Sequence, residues 1–261
     1  MSTRPQAARS AARRLVAHRG YPLRYPENSL VGMHAVLDAG ARGGEFDVQV
    51  SRDGHAVAAH DDDILRVSGE NGRVTQMDLA ALTATAAGEP ARFGDAFAEV
   101  RFSPAADMLD LIGQYRGVHA FVDLKDETVA AFGREAAVDA VLRALAPTDV
   151  AWTLLCGDAR ALALGRAHGA PSIGWVFEAW TRTARRQVER LRPEYLFTPA
   201  ARVPAARAPF WPGTGWRWCV YDVNDAATAV DLFARGADLV ETDCLPELAR
   251  ALGDGAGSRP A

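Results

Sequence analysis

Residues 151–177 read AWTLLCGDARALALGRAHGAPSIGWVF, and this stretch decides the fold class. A short apolar run over 151–156 gives way at Gly157-Asp158 to a helical pattern over 158–168. Gly169 stands where that helix would end, and a second apolar run follows over 172–177. Strand, helix, strand in that order is a crossover unit, the connection that parallel strands require. The same alternation extends in both directions. Strands are predicted at 15–18, 44–50, 118–124, 151–156, 172–177, 194–198, 217–223 and 237–242. Helical periodicity fills 29–40, 128–145, 158–168, 181–191 and 225–235, and Gly40 and Gly236 repeat the position of Gly169.

Eight strands with helical crossovers predict a single α/β domain, a (β/α)8 TIM barrel, and 261 residues match the ~250 typical of one. Length alone also permits two small domains. A doubly wound open sheet is the alternative, but no Gly-x-Gly-x-x-Gly follows the first strand. The barrel is expected over 15–252, between a disordered tail at 1–14 and a frayed one at 253–261. One segment breaks the rhythm. After strand 44–50 come Ser51-Arg52-Asp53-Gly54 and a second run from His55 to His60, and Asp-Gly between alternating residues is a hairpin signal. Residues 61–117 then delay the third barrel strand, so a small insertion, about 51–117, is expected after the second strand. It sits on a βα-loop, and those loops build the active face of a barrel.

Composition narrows the function classes. With 49% hydrophobic and 24% charged residues there is material for a sizeable core, and a net charge of −4 offers no field for nucleic acid. No apolar run is long enough to span a membrane, and no amphipathic basic segment predicts stable membrane association. Cys156, Cys219 and Cys244 show neither metal spacing nor a disulfide framework, which fits buried thiols in a cytoplasmic protein. There is no Walker loop, Gly-x-Ser-x-Gly or zinc spacing. His34, on the first helix, reads as a packing or surface residue, His119 and His168 lack an acidic partner at useful spacing, and Trp211, Trp216 and Trp218 read as core or rim.

Several residues are placed for chemistry. Glu45 and Asp47, two apart on a predicted strand, point to one face, while Phe46, Val48 and Val50 point to the helices. Two inward carboxylates repel unless neutralised, and one divalent cation, Mg²⁺ or Ca²⁺, suits their hard oxygens; a solvated hairpin face is the alternative. If Asp53-Gly54 is a two-residue turn, Arg52 pairs with His55 and Asp47 falls opposite His60, whose imidazole can then act as general acid or base. A one-residue bulge would undo that register. Asp123 and Lys125 repeat the two-apart spacing, Asp123 as a further oxygen ligand and Lys125 as a point charge for phosphate. A surface ion pair is the alternative, but Lys125 is the one lysine beside 28 arginines. Arg19, after His18 at the end of the first strand, can hold a phosphate bidentately. Asn28 or Ser29 can cap the helix that follows; capping does not explain Glu27.

Taken together, the pattern resembles the glycerophosphodiester phosphodiesterases. Their signature of His-Arg-Gly, Pro-Glu-Asn-Thr, Glu-x-Asp-Val, Asp-Gly and His-Asp is matched in order by His18-Arg19-Gly20, Pro26-Glu27-Asn28-Ser29, Glu45-Phe46-Asp47-Val48, Asp53-Gly54 and His60-Asp61. Leu65-Arg66, Gly72-Arg73-Val74 and the tail from Gly236-Ala237-Asp238 to Thr242-Asp243 extend the similarity. The resemblance implies a barrel with an insertion after strand two, and a metal on Glu45, Asp47 and Asp123. It implies His18 and His60 as the acid–base pair, Arg19 and Lys125 on the phosphate, and Glu27 and Asn28 beside the substrate. Asp123 stands where the family usually has Glu, and Tyr221-Asp222 where Trp-Thr is usual, so Tyr221 is expected against the substrate's glycerol. The expected activity is metal-dependent hydrolysis of a small-molecule glycerophosphodiester to an alcohol and glycerol 3-phosphate. A related phospholipase C- or D-type enzyme and a catalytically silent phosphodiester-binding protein are the alternatives.

Overall fold

The computed structural model describes residues 13–146, 148–204, 210–211 and 215–255. Nine strands lie among them: β1 (Leu15–Ala17), β2 (Gly43–Val50), β3 (Ala56–Ala58), β4 (His119–Leu124), β5 (Ala151–Cys156), β6 (Ile173–Val176), β7 (Tyr195–Pro199), β8 (Arg217–Tyr221) and β9 (Leu239–Thr242). Eight of them run parallel in the order β1-β9-β8-β7-β6-β5-β4-β2, and the pairing Ala17 with Gly44 closes β2 onto β1. This is the expected (β/α)8 barrel. The ninth, β3, is antiparallel on β2 and opens the insertion.

Side chains sort to two faces because strand residues alternate. Val16, Phe121, Leu155, Phe197, Cys219 and Leu239 fill the barrel's interior. Phe46, Val48, Val122, Leu154, Val220 and Val240 point outward and pack under helices such as Leu30–Asp38, Arg134–Leu145 and Ala226–Arg235. Gly174 is inward, and any Cβ there would lie 2.4 Å from Leu155 Cδ2. The insertion keeps a small core of its own, built on Val57, Ile64, Val74, Leu82 and Phe102.

Some expectations need correcting. The helical pattern over 128–145 is two helices, Asp126–Phe132 and Arg134–Leu145, because Gly133 takes φ +80° between them, a conformation that Cβ-bearing residues resist. A basic amphipathic helix does exist, Arg182–Leu191, but its apolar side, Ala184, Val188 and Leu191, is buried. Between β7 and β8 the described residues hold one 3₁₀ turn, Ala200–Arg202, and aromatic side chains cover the strands there. Trp180 stacks on Trp218 at 4.9 Å and Phe177 on Trp211 at 5.5 Å. That packing places Trp211 and Trp218 in core and rim.

Cys156, Cys219 and Cys244 are buried free thiols. Of the expected tails, residues 1–12 and 256–261 lie outside the described residues. Arg14 is tied to the barrel: its Nε donates to the Asp238 carbonyl at 3.1 Å and its guanidinium lies 3.8 Å from the centre of the Phe233 ring. The helix Leu245–Gly255 runs to the edge of the described chain. Among the described residues no helix is long and apolar enough to cross a membrane.

Candidate functional site

The polar groups gather where the parallel strands end, above the apolar interior. Asp47 and Asp123 are register partners on β2 and β4, so their side chains stand side by side on the inner face. Glu45, Asp47 and Asp123 each offer an oxygen within 4.8 Å of the others. Glu45 and Asp47 are almost fully buried. Lys125, just beyond β4, bridges Asp47 Oδ1 at 2.5 Å and Asp123 Oδ2 at 2.7 Å.

The opposite side of Asp47 is held by the loop after β1. Arg19 takes φ +51° there, which turns its backbone N–H onto Glu45 Oε2 at 2.9 Å and its Nε to 3.1 Å from Asp47 Oδ2. Ser29 is the helix cap, accepting from the Gly32 N–H at 3.1 Å. That frees Asn28, also at φ +51°, to clasp Asp47 twice. Its amide donates to Asp47 Oδ2 at 2.8 Å, and its Oδ1 accepts the Asp47 N–H at 3.0 Å. Glu27 receives Arg66 through two bonds of 2.7 and 2.8 Å, and Arg19 at 3.5 Å.

The electrostatics follow from burial against pairing. Burial alone would raise the Asp47 carboxyl, but the Lys125 and Arg19 cations outweigh it and hold the group well below the carboxylate range. Glu45 goes the other way: burial, then the negative charge of Asp47, push it well above its ordinary value. A buried carboxyl whose ionised form is disfavoured, beside two more oxygen donors, is a set that a hard divalent cation would stabilise as carboxylates, so the donor chemistry fits such an ion.

Both predicted histidines border this cluster. His18 is largely buried, and its Nδ1 lies 2.8 Å from Asp243 Oδ1. Asp243 is itself held by the Asn224 amide at 2.9 Å. Burial would lower the imidazole, but the Asp243 hydrogen bond and the charges of Glu241 and Asp47 raise it. His60 Nδ1 lies 2.6 Å from Asp61 Oδ1, and Asp61 is paired to Arg66 at 2.7 Å.

The hairpin register differs from the expectation by one residue. Val48 pairs with Ala58 and Val50 with Ala56, and Ser51 N–H bonds the His55 carbonyl at 2.8 Å. Gly54 at φ +83° makes the turn three residues long, so Ala59 and not His60 stands level with Asp47. His60 lies past the end of β3, near enough for its charge to lower Asp47.

Tyr221, at the end of β8, sets its ring 6.4 Å from that of His18, and burial raises its hydroxyl well above the ordinary phenol range. A cleft of about 630 Å³ runs out from His18 and Arg19 past Glu27, Arg92, Asp222 and Asp243. A larger groove, about 850 Å³, lined by Arg52, Phe132, Arg134 and Arg143 on the barrel's outside, carries none of the clustered groups.

Asp61, Arg66, Asp243 and Glu241 carry no role in the sequence reading. Glu241 lies two residues beyond Leu239 on β9, the same spacing that singled out Glu45 and Asp47, and is 3% exposed. Burial pushes its carboxyl up to about 7. Asp243 and Arg66 have no such signal, since each meets its partner across the closed barrel or the insertion.

Residues 18–154 match the model of the glycerophosphoryl diester phosphodiesterase family. A glycerophosphodiester phosphodiesterase of Caldanaerobacter subterraneus is 34% identical over 99 residues, a stretch covering 38% of this chain and 40% of that relative. Another of that name, from Bacillus altitudinis, is 38% identical over 61 residues, 23% of this chain and 25% of the relative. The chain thus spans less than half of the length of these curated relatives. The structure is similar to that of an Oleispira antarctica phosphodiesterase in complex with the product sn-glycerol-3-phosphate, with a TM-score of 0.80 at 24% identity over 94% of this chain and 98% of the other.

Proposed function

The chain belongs to the glycerophosphoryl diester phosphodiesterase family, and on that premise we propose that it hydrolyses a small-molecule glycerophosphodiester to an alcohol and glycerol 3-phosphate, with His18 and His60 as general acid and base. The observation that carries the reading is the pair of histidines at the rim of one acidic cluster, each with Nδ1 against its own carboxylate, Asp243 or Asp61. A carboxylate that accepts from Nδ1–H fixes the tautomer and leaves Nε2 as the working nitrogen.

One histidine takes the proton from the glycerol hydroxyl next to the phosphate, and that oxygen attacks phosphorus. The other delivers a proton to the departing alcohol. Water then opens the cyclic phosphate with the roles reversed. Arg19 and Lys125 border the cluster on opposite sides of Asp47, where they stabilise the charge growing on the phosphoryl oxygens. Glu45, Asp47 and Asp123 would hold one divalent cation, Mg²⁺ or Ca²⁺, which when bound supplies Lewis-acid polarisation of the phosphate. Asn28 fixes Asp47, Glu27 fixes Arg19 and Arg66, and Tyr221 faces His18 where the glycerol would lie. Three buried free thiols support a cytoplasmic setting.

The test is release of glycerol 3-phosphate from glycerophosphocholine and glycerophosphoethanolamine, with Mg²⁺, Ca²⁺ or Mn²⁺ and with chelator. Metal-dependent release is expected, falling about 10²–10⁴-fold in His18→Ala or His60→Ala. No release under any condition, or near-full activity in either variant, refutes the assignment.

A further inference from the structure

The barrel's inner face carries a fourth carboxylate that the mechanism does not use. Leu239 packs in the apolar interior, and Glu241, two residues on along β9, stands on the same face one layer higher. It is 3% exposed, and its Oε1 has no hydrogen-bond partner among the described residues. A buried carboxylate oxygen with no partner is destabilising unless something meets it. Charges of both signs surround it: His18 and Arg19 favour its ionised form, Asp123 and Asp47 oppose it, and Glu241 in turn acts on Glu45. Four carboxyl groups therefore share this end of the barrel with two permanent cations, Arg19 and Lys125, so a divalent ion there would meet a surplus of acidic oxygens.

Glu241 is not one of the three residues whose oxygens fall within 4.8 Å of each other, so it does not join them as a direct ligand. Mg²⁺ in particular keeps several of its waters when protein carboxylates bind it, and those waters need acceptors. We propose that Glu241 is a positioning residue for the cation held by Glu45, Asp47 and Asp123, accepting hydrogen bonds from the water that hydrates it. The inference rests on the cation site of the proposed function and adds a residue to it.

The experiment measures Mn²⁺ affinity of the whole chain from the free-ion resonance signal, alongside the melting temperature without metal, for wild type, Glu241→Gln and Glu241→Leu. Outer carboxylates of this kind typically change metal affinity about 10–100-fold when removed, and Glu241→Leu is expected to raise Kd by that factor. Glu241→Gln keeps a carbonyl acceptor without the charge, and its Kd should fall between the other two. The metal-free melting temperature should hold or rise, because an unpartnered buried carboxylate has gone. Kd for Glu241→Leu within about threefold of wild type, whatever its melting temperature, overturns the proposal. Wild type that binds no Mn²⁺, Mg²⁺ or Ca²⁺ at all overturns the cation site itself, a separate result.

Discussion

Replacing Asp243 by Asn tests whether His18 is a working acid or base or a buried packing residue. The carboxylate holds His18 Nδ1 at 2.8 Å, and it is in turn clamped by Asn224 at 2.9 Å. An amide of nearly the same shape fits that space but no longer supplies the charge. A hydrogen bond to a charged group contributes about 1.5–3 kcal/mol. The Asp243 side chain is 32% exposed, so solvent screens part of this, and the lower end, about 1.5–2 kcal/mol, applies. That corresponds to a fall of roughly 10–30-fold in kcat/KM. The pH profile gives the second readout. The structure raises His18, with Asp243 opposing the effect of burial. Loss of the carboxylate lowers the imidazole, so the limb of the profile that reports His18 moves to lower pH. Glycerophosphocholine turnover from pH 5 to 9, with the urea midpoint as a folding control, measures both effects. A rate within about threefold of wild type together with an unmoved profile would refute the role of His18.

Two further predictions follow from burial. Asp47→Ala removes the partner of Lys125, Arg19 and Asn28 in one step, yet Lys125 keeps Asp123 and Arg19 keeps Glu27; the expected loss is about 3 kcal/mol in urea unfolding, the low end for breaking a buried pair, and no loss would mean the cluster is solvated. His119, whose Nε2 lies 2.8 Å from Thr153 Oγ1 at the far end of the barrel, is lowered to about 4 by burial, helped by the Arg217 charge. Its contribution to stability is complete above the ordinary value near 6.5 and is lost as pH falls from there towards 4, by on the order of 2–3 kcal/mol. Wild type should therefore lose more stability than His119→Gln between pH 7 and 4.5, and parallel losses would contradict this.

The alternation of short apolar runs and helical patterns was enough to specify eight parallel strands, because strand and helix periods are properties of the local chain. The same locality made Glu45 with Asp47 and Asp123 with Lys125 legible, since residues two apart on a strand must share a face. His60 shows where that reasoning stops. Its register depended on the turn, and Gly54 in a left-handed conformation lengthened the turn by one residue and moved His60 past the strand. Asn28 reads as a helix cap from its neighbours, but the bend at φ +51° hands the cap to Ser29 and turns Asn28 onto Asp47. The partners of the histidines and the crowding around Glu241 depend on closure of the barrel, which brings β9 against β1 and so sets Asp243 beside His18, 225 residues away in the chain. Sequence alone determined the barrel and which residue types face its mouth, because both follow from local periodicity. Which carboxylate meets which cation was decided only in the tertiary structure, because hydrogen bonds and charges act over a few ångströms of space whatever the distance along the chain.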